Sequence, residues 1–432
     1  MKFRTTIYDF VLSIASIYVI LRSIFDLGYR KTIEYRFKVS FDEEVLMNFK
    51  EQQKKSSFKG LWIHAASVGE VLGAINLINK VREEYENYPI FLTVTNYSAL
   101  NLVKEKYPYI NVRISPFDFS WLISKLCKIL DVPNMIIVEA EYWPNLINIF
   151  SENGKVFHIS TRFSKKALYK YKKFDFLFKY MFERVTAFFA KTKEDKDNLI
   201  EYGINESKVL IVGDIKAYQN SDRFYSEESI FDLVAGSTHK GEESILINLY
   251  FKFNKNISIA IAPRHLSRLN EIISELEKVN IDFLLWSRDK DFIKKRNKSP
   301  KPIILIDTMG ELSSIYALGK IGFVGGTLEK IGGHNLFEPA ICARPVLFGK
   351  YYQRQSFMAD SLLSEDKESS NNKYKGAYVI ENLDQFYDIV IYLLKDNNWF
   401  EEGKVARKKF EYASGSLNRT YNLLKDEFNV FV

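Results

Sequence analysis

Cysteine is scarce in this sequence. Its 432 residues include only Cys127 and Cys342, whose separation matches no metal-ligand spacing. Structural disulfides and zinc sites are therefore not expected, and the composition fits a reducing compartment. The sequence also lacks a Walker A loop, a Gly-x-Ser-x-Gly nucleophile motif and a Cys-x-x-Cys pair. The usual signatures of P-loop proteins, serine hydrolases and thiol redox proteins are thus missing.

A long uninterrupted apolar run is missing as well. The most apolar stretch, residues 7–20, contains Asp9 and two serines, and Arg22 interrupts its continuation to Phe25. A membrane-spanning helix needs about 20 mostly apolar residues. Residues 1–35 are therefore predicted to form a helix that lies in or inserts shallowly into a membrane surface, with its basic flank near anionic headgroups. A core helix is the alternative. A cleaved signal peptide fits poorly, because no small-residue cleavage site follows.

The remaining composition is that of a globular protein. Apolar residues make up 47% of the chain and charged residues 27%, and the length suits two domains. The formal net charge of +7 suggests an anionic partner such as lipid, nucleotide or nucleic acid. The basic segment Arg162–Lys179 is better explained by a solvated helix face, or by a surface for acidic lipid, than by nucleic-acid binding.

Short apolar runs typical of strands alternate with helical stretches from Leu61 onward. Continuous runs such as Met135–Val138 suit strands buried on both faces of a parallel sheet. The predicted fold class is α/β, with two doubly wound Rossmann-like domains whose boundary lies near Gly213–Arg223. Ligands in such sheets bind beyond the carboxyl ends of the strands. The predicted strands are Leu61–His64, Ile90–Thr95, Met135–Glu139, Val156–Ser160 and Phe188–Lys191 in the first sheet, and Leu233–Gly236, Ser258–Ala262, Phe283–Trp286, Ile303–Ile306, Gly322–Val324 and Pro345–Phe348 in the second.

Carboxylates follow two strands of the first predicted sheet. Glu70 is predicted to lie in the first turn of a helix that begins about Val71, where the helix dipole favours the ionised form that a base requires. A glutamate selected only by that dipole is the alternative. Glu139 and Glu141 are alternate residues at the end of a buried strand, so they are predicted to face one site. Ion-paired structural acids are the alternative there.

The second predicted sheet is followed by a glycine-rich segment, Gly325–Ala340. Its glycines let backbone N–H groups approach a phosphate, and Asn335 is predicted to open a helix whose face it shares with Glu338. An amide and a carboxylate so placed suit ribose hydroxyls, which predicts a nucleotide site; a turn and a helix cap are the alternative. All histidines except His158 lie at strand ends and are interpreted as binding residues. Further predicted anion contacts are Ser237, Thr238 and Arg264.

Together these segments resemble the Kdo transferases (3-deoxy-D-manno-octulosonic acid transferases), which are membrane-bound glycosyltransferases of lipopolysaccharide assembly. The similar segments follow the family's order along most of the chain. They are Gly28–Arg30, His64–Glu70, Glu139–Asn145, Gly236–Glu243, Ala262–His265, Asp307–Leu312 and Phe323–Ala340, with residues 415–420 similar to the start of the family's closing helix.

The resemblance implies a GT-B fold, in which two Rossmann-like domains face a cleft, with an N-terminal membrane-anchor helix. It implies an anchor at residues 1–35, an acceptor-binding domain at 36–215, a CMP-sugar-binding domain at 216–414 and a closing helix at 415–432. The implied reaction is inverting transfer of Kdo from CMP-Kdo to a lipid A precursor (lipid IVA). It would need no metal or other cofactor, and no nucleic acid would take part. The implied location is the cytoplasmic face of the inner membrane of a Gram-negative bacterium.

The resemblance also implies roles for individual residues. Glu70 would be the general base, and Glu139 and Lys216 would stabilise the transition state. The implied CMP-Kdo contacts are Ser237, Thr238, Pro263, Arg264, His265, Met309, Gly310, Glu311, Gly332, Gly333, Asn335, Leu336, Phe337 and Glu338, and the implied acceptor contacts are Ser67, Gly69, Glu141 and Arg162.

The chain departs from the family at Ala140, because a threonine usually stands between the two glutamates there. Two alternative functions are a GT-B glycosyltransferase that uses another nucleotide sugar and an inactive, membrane-attached nucleotide-sugar-binding protein.

Overall fold

A computed structural model describes residues 6–14, 43–217, 229–289, 301–364 and 374–431. The chain divides into two compact units, Met1–Tyr218 together with Ser414–Val432, and Gln219–Ala413. Each unit contains one seven-stranded sheet in which every pairing is parallel. Helices connect successive strands, so the predicted α/β class with two doubly wound sheets is confirmed.

The first sheet has the strand order β3-β2-β1-β4-β5-β6-β7, and the order reverses between β1 and β4. Its strands are β1 Leu61–His64, β2 Ile90–Val94, β3 Asn111–Ile114, β4 Asn134–Val138, β5 Lys155–Thr161, β6 Ala187–Ala190 and β7 Val209–Ile211. Its helices are α1 (residues 6–14), α2 Glu43–Lys55, α3 Val68–Glu84, α4 Tyr97–Lys106, α5 Ser120–Leu130, α6 Pro144–Phe150, α7 Lys165–Lys173, α8 Asp175–Arg184 and α9 Lys193–Tyr202.

Strand β1 shows how the first core is built. Its four residues are all buried. Leu61 and Ile63 pack into a cluster on one face of the sheet, while Trp62 packs into a separate cluster on the other, because successive strand residues point to opposite faces. The C-terminal segment completes the first of these clusters with residues that include Leu417 and Phe431.

The second sheet has the strand order β10-β11-β9-β8-β12-β13-β14, and the direction of winding changes between β8 and β12. Its strands are β8 Phe231–Thr238, β9 Ile259–Pro263, β10 Phe283–Leu285, β11 Ile303–Leu305, β12 Gly319–Val324, β13 Val346–Gly349 and β14 Ala377–Ile380. The helices that follow β7 are α10 Glu242–Lys252, α11 Leu269–Lys278, α12 Leu312–Ala317, α13 Phe337–Ile341, α14 Ser356–Leu363, α15 Leu383–Leu394, α16 Asn398–Ser414 and α17 Ser416–Asn422, of which α17 belongs to the first unit.

Three strands were not predicted from the sequence: β3, β7 and β14. Strand β3 contains Arg113, which is 1% exposed, so its sequence does not form an apolar run. Strand β7 has only three residues, and β14 lies at the edge of its sheet with two half-buried positions. Edge strands need less apolar surface, and their sequence signal is correspondingly weak.

Only part of the predicted anchor segment can be located. Asp9 in helix α1 accepts hydrogen bonds from the backbone N–H of Ser120 at 3.1 Å and from the side-chain amide of Asn145 at 2.7 Å. Residues 1–5 and 15–35 of the predicted anchor lie outside the described residues. Among the described helices, none combines the length and the apolar character needed to cross a membrane.

The edge of the second sheet depends on a buried carboxylate, Glu402, in helix α16. Glu402 is fully buried and accepts hydrogen bonds from the backbone N–H groups of Lys375 and Gly376 at 2.7 and 2.5 Å. The hydroxyls of Tyr378 and Tyr392 also donate to it, at 2.6 and 3.0 Å. One side chain therefore satisfies four donors around the start of β14.

Replacing Glu402 should destabilise the second unit. We expect Glu402→Ala to lower the free energy of unfolding by about 3 kcal/mol, because buried donors without acceptors are costly. Among the residues that the structure describes, the neighbouring Glu401 pairs only with Lys404, and its side chain is 45% exposed. Glu401→Ala should therefore change stability by less than about 0.5 kcal/mol. Urea unfolding of both variants measures the difference, and equal stabilities would contradict the role of Glu402.

Candidate active site

Glu70 lies where β1 ends, in the first turn of α3. That helix begins at Val68 and not near Val71, with Ser67 as its N-cap. The Ser67 hydroxyl accepts the backbone N–H of Glu70 at 3.3 Å, and it donates to the Glu70 carboxylate at 2.9 Å. The backbone N–H of Ala66 donates to the other carboxylate oxygen at 2.7 Å. The arrangement is similar to a capping box, but the carboxylate accepts the N–H of Ala66 and not that of the N-cap residue Ser67. These hydrogen bonds fix the position of the Glu70 carboxylate.

The environment of Glu70 differs from the prediction in one respect. The helix dipole was expected to favour the ionised carboxylate. Burial instead dominates and raises the pKa of Glu70, although the Ala66 N–H and the Ser67 hydroxyl act in the opposite direction. Since only 8% of Glu70 is exposed, the cost of desolvating its charge outweighs the two hydrogen bonds. Glu70 is therefore a stronger base than the sequence indicated.

Glu139 leaves the first sheet in an unusual conformation. Strand β4 ends at Val138, and Glu139 has a φ of 63°, in the left-handed region that non-glycine residues seldom adopt. The predicted extension of the strand to Glu139 is therefore wrong, and strand alternation does not relate the direction of Glu139 to that of Glu141. The Glu139 carboxylate pairs with Lys191 at 2.9 Å and with Lys216.

Two lysines, Lys191 and Lys216, determine the direction in which the pKa of Glu139 is shifted. Burial alone would raise the pKa of Glu139, but Lys191 and Lys216 together hold it below its usual value. Lys191 also contacts Asp214 at 2.8 Å, so one buried ammonium joins two carboxylates. Positive and negative side chains alternate through this network.

Glu141 points to other partners. It accepts the indole N–H of Trp143 at 2.5 Å and lies 3.7 Å from Nε2 of His64. Burial opposes ionisation of Glu141, but His64 and Trp143 outweigh it and lower the pKa of Glu141.

Three predicted catalytic residues, Glu70, Glu139 and Lys216, are close together in the first unit. Lys216 pairs with Glu139, and a β-carbon added at Gly69 would lie 3.5 Å from its Nζ atom. Charges on Glu139 and Lys216 both influence the pKa of Glu70. Of the predicted acceptor contacts, Ser67 and Gly69 border this cluster, whereas Arg162 is an exposed residue after β5.

In the second unit the glycine-rich loop is organised by Glu242, the first residue of α10. Glu242 is fully buried, and it accepts the backbone N–H groups of Gly326, Thr327 and Leu328 at 2.8 to 3.0 Å. It also accepts the N–H of His239 at 2.9 Å. These loop N–H groups were predicted to be available to a phosphate, but in the structure they bind a carboxylate of the protein.

Asn335 and Glu338 are arranged differently from the prediction. Helix α13 begins at Phe337, so Asn335 precedes the helix and does not open it. The Asn335 side chain accepts the N–H of Phe337 at 3.1 Å, as in an Asx turn. Glu338 lies in the helix, and burial raises the pKa of its carboxyl to about 7 while Arg264 opposes that rise.

The other predicted donor contacts also follow strands of the second sheet. Ser237 and Thr238 end β8, and Thr238 donates to Glu243 at 2.9 Å. Pro263 ends β9, and Arg264 and His265 after it are exposed. The remaining predicted contacts lie in the loops after β11 and β12, except for Phe337, which is the first residue of α13; the loop residues are Met309, Gly310, Glu311, Gly332, Gly333 and Leu336.

Sequence reasoning missed several residues that hold these loops. Lys191 and Asp214 were assigned no role, because they lie 23 residues apart and no local pattern joins them. Glu242 and Glu243 belong to a noticed segment, but the sequence does not show that Glu242 binds a loop more than 80 residues away. The loops that follow β8 and β12 are adjacent only because these two strands pair in parallel.

Comparisons with known proteins agree with the fold and with the family resemblance. Residues 39–219 match the family described as 3-deoxy-D-manno-octulosonic-acid transferase (kdotransferase). The 3-deoxy-D-manno-octulosonic acid transferase of Chlamydophila psittaci is 26% identical over 421 residues, which cover 93% of this chain and 95% of that protein. The enzyme of the same name from Haemophilus influenzae is 29% identical over 68% of this chain and 71% of its own length. The chain therefore resembles the Kdo transferases, as its sequence motifs indicated.

Two further comparisons concern length and fold. A bifunctional glycosyltransferase/methyltransferase of Fusobacterium nucleatum is 30% identical over 89% of this chain, which spans 60% of that protein's length. The crystal structure of a putative UDP-N-acetylglucosamine 2-epimerase from Listeria monocytogenes superposes with a TM-score of 0.51 at 13% identity, covering 86% of this chain and 97% of the epimerase. At that identity the likeness concerns the fold alone, which is of the two-domain GT-B kind.

Removing Lys191 should destabilise the first unit in a pH-dependent way. We expect Lys191→Met to lower the free energy of unfolding by about 3 kcal/mol at pH 7, because two largely buried carboxylates lose a partner. The pKa of Glu139 is lowered in the folded state. The ionised Glu139 therefore stabilises the fold at pH values above the usual pKa of glutamate, and this contribution is lost as the pH falls. The difference between wild type and variant should therefore shrink in acid.

A suitable control is Lys193→Met, because Lys193 pairs with Asp197 and both side chains are more than half exposed. That variant should lose less than about 1 kcal/mol at any pH. Urea unfolding between pH 3.5 and 7.5 tests both variants, and a pH-independent loss in Lys191→Met would contradict the proposed charge network.

Proposed function

We propose that this chain is a Kdo transferase that moves Kdo from CMP-Kdo to a hydroxyl of a lipid A precursor. The proposal is supported by the similarity to proteins named 3-deoxy-D-manno-octulosonic acid transferase over nearly the whole chain. One structural observation carries the chemistry: a fixed, buried carboxylate of raised pKa, Glu70, lies beside the Glu139–Lys216 pair.

In the proposed reaction Glu70 removes the proton of the acceptor hydroxyl. The hydroxyl oxygen then bonds to the anomeric carbon of Kdo, and the bond from that carbon to the phosphate oxygen breaks, with its electron pair leaving on CMP. A single displacement of this kind inverts the anomeric carbon. A base of raised pKa favours proton removal during attack, because the catalytic pKa then lies nearer the working pH.

The pair of Lys216 and Glu139 is proposed to act electrostatically. A positive group held in place by a buried partner needs no reorganisation during the reaction, so it stabilises developing charge effectively. Lys191 and Asp214 are positioning residues in this proposal, because they hold Glu139 in its strained conformation.

The second unit is proposed to bind the CMP moiety. Glu338 and Asn335 at the start of α13 suit ribose hydroxyls, and Arg264 is an exposed guanidinium at the end of β9. Bidentate guanidinium contacts suit phosphate. Positive charge from side chains is the proposed substitute for a metal in this reaction.

Membrane association is proposed for helix α1. Its Asp9 faces the first unit, whereas Phe10 and Ile14 are 66% and 55% exposed. A helix with an anchored polar side and exposed apolar side chains suits the interface of a membrane. The proposed acceptor is a lipid, so this surface would bring the enzyme to its substrate at the cytoplasmic face of the inner membrane.

The activity can be tested by mass spectrometry of tetraacylated lipid A precursor incubated with CMP-Kdo and the full chain in detergent. We expect a product heavier by one or more Kdo residues. Glu70→Gln should reduce the rate by at least about a hundredfold, the usual contribution of a general base, while CMP still binds. The matched control is Glu83→Gln, an exposed residue of the same helix, which should keep full activity.

The other outcomes separate the alternative functions. Wild-type protein that binds UDP but not CMP, and makes no Kdo product, would indicate a GT-B enzyme for another nucleotide sugar. Binding of CMP without turnover on any acceptor would indicate a binding protein. A fully active Glu70→Gln variant would remove Glu70 as the base.

The membrane surface can be tested by flotation with vesicles of phosphatidylethanolamine and phosphatidylglycerol. We expect Phe10→Ser combined with Ile14→Ser to reduce the vesicle partition coefficient about tenfold or more, because two apolar side chains no longer enter the interface. Met47→Ser is the control, since Met47 is an equally exposed apolar residue on α2. Unchanged flotation of the double variant would exclude α1 as the contact.

A further inference from the structure

The loops after β8 and β12 bring two histidines together in the second unit. Nε2 of His239 lies 2.7 Å from Nε2 of His334. The ring planes are parallel to within 2°, and the ring centroids are 5.0 Å apart. With the two nitrogens facing each other at that spacing, the rings lie edge to edge, and one N–H···N hydrogen bond joins them.

The chemistry of imidazole limits the protons that this pair can hold. A neutral ring has one N–H donor and one nitrogen acceptor, whereas a protonated ring has two donors. The bond therefore forms between two neutral rings, or between one imidazolium donor and one neutral acceptor. Two imidazolium rings would point N–H groups at each other across 2.7 Å. The pair can take up one additional proton and no more.

The pair is held by the same elements that shape the glycine-rich loop. Glu242 accepts the backbone N–H groups of both His239 and Gly326. Gly326 has a φ of 71°, and a β-carbon there would lie 3.0 Å from the His334 ring and 3.5 Å from the His239 ring. The positive φ and the close approach of the two rings both favour glycine at this position. The backbone conformation at Gly326 therefore allows the two rings to come into contact.

The charges around the pair are mostly positive. His239 is faced by His265, Arg264, Arg268 and Glu243, and His334 is faced by His265, Arg264 and Arg354. The only acid among these, Glu243, accepts two guanidinium N–H groups of Arg268. In the described part of the chain, Arg264 and Arg354 have no carboxylate within ion-pair distance. Three other acids lie nearby: Glu242 accepts the backbone N–H of His239, Glu338 interacts electrostatically with Arg264, and Glu329 borders Gly241 in the same loop. None of the three forms an ion pair with Arg264 or Arg354 among the described residues, so both guanidinium groups can accept an anion.

The environment lowers the pKa of both histidines. Burial, then His239 and then Arg264 lower the pKa of His334 to about 4, and burial and His265 lower the pKa of His239. A bound anion would offset the cations and favour the imidazolium form. The same cations oppose a metal ion, and no group of three or more histidine, cysteine or acidic side chains that could hold a metal occurs among the described residues.

We propose that the His239–His334 pair is an anion-binding element that takes up one proton when the phosphate group of a nucleotide binds beside Arg264 and Arg354. The inference rests on the proposed function for the identity of that nucleotide, CMP. When the sugar–phosphate bond breaks, the CMP phosphate gains one negative charge. A proton already held by the pair then stabilises the leaving group, in addition to binding the donor.

The test is isothermal titration calorimetry of the full chain in buffers of different ionisation enthalpy, which counts the protons taken up on binding. The probe is the 5′-(methyl phosphate) ester of cytidine, a phosphodiester that does not itself titrate between pH 6 and 8. We expect uptake approaching one proton per ligand at pH 7. Affinity should rise as the pH falls, by up to about tenfold per pH unit, the limit for one linked proton.

Two substitutions isolate the pair. His239→Gln and His334→Gln keep a hydrogen-bonding group near the position of Nε2 but cannot take up the proton, so uptake should vanish and affinity should become independent of pH. The control is Lys240→Gln in the same loop, because Lys240 is 81% exposed and pairs only with Glu271 among the described residues. It should behave as the wild type. Melting temperatures of all variants establish that they are folded.

The outcomes separate this inference from the proposed function. The inference would be overturned if the cytidine ester bound without proton uptake. It would also be overturned if proton uptake persisted in both glutamine variants. Either result would leave the donor assignment intact. Binding of sulfate with proton uptake, but not of the cytidine ester, would support the inference and overturn CMP as the ligand. Zinc binding that depends on both histidines, without anion-linked uptake, would replace the inference by a metal site.

Discussion

Both units depend on one constraint: their parallel sheets are covered on both faces. Strands such as β1 and β8 are buried along their whole length, so charged groups cannot be accommodated along them without partners. The polar side chains are instead concentrated at the carboxyl ends of the strands. In each sheet the strand order reverses at the centre, and the loops that leave the two central strands meet there.

A buried glutamate at the start of a helix holds those loops in each unit, but the two glutamates differ in what they can still do. Glu242 accepts four backbone N–H groups, which matches the four lone-pair sites of a carboxylate. Within the described ranges, Glu70 accepts only the N–H of Ala66 and the hydroxyl of Ser67. Glu242 is therefore a structural residue, whereas Glu70 keeps capacity for a proton.

Glu139 shows how strain and charge combine at the first site. A non-glycine residue in the left-handed region costs about 1 to 3 kcal/mol and persists only where its surroundings fix it. Here the surroundings are two lysines, one of which is itself held by Asp214. The unusual backbone turns the carboxylate away from the direction that strand alternation would give, so Glu139 and Glu141 have separate partners.

The sequence by itself determined the α/β class, most strands of the two sheets and the strand ends at which polar residues gather, because continuous apolar runs and strand-exit motifs are local properties. It also determined the resemblance to the Kdo transferases through the order of its motifs. Only the tertiary structure decided three features of the sites. They are the balance between burial and hydrogen bonding that raises the pKa of Glu70, the support of Glu139 by Lys191 and Asp214, and the contact between His239 and His334. Each of them joins or surrounds groups from elements distant in the chain, and only the strand order makes those elements neighbours.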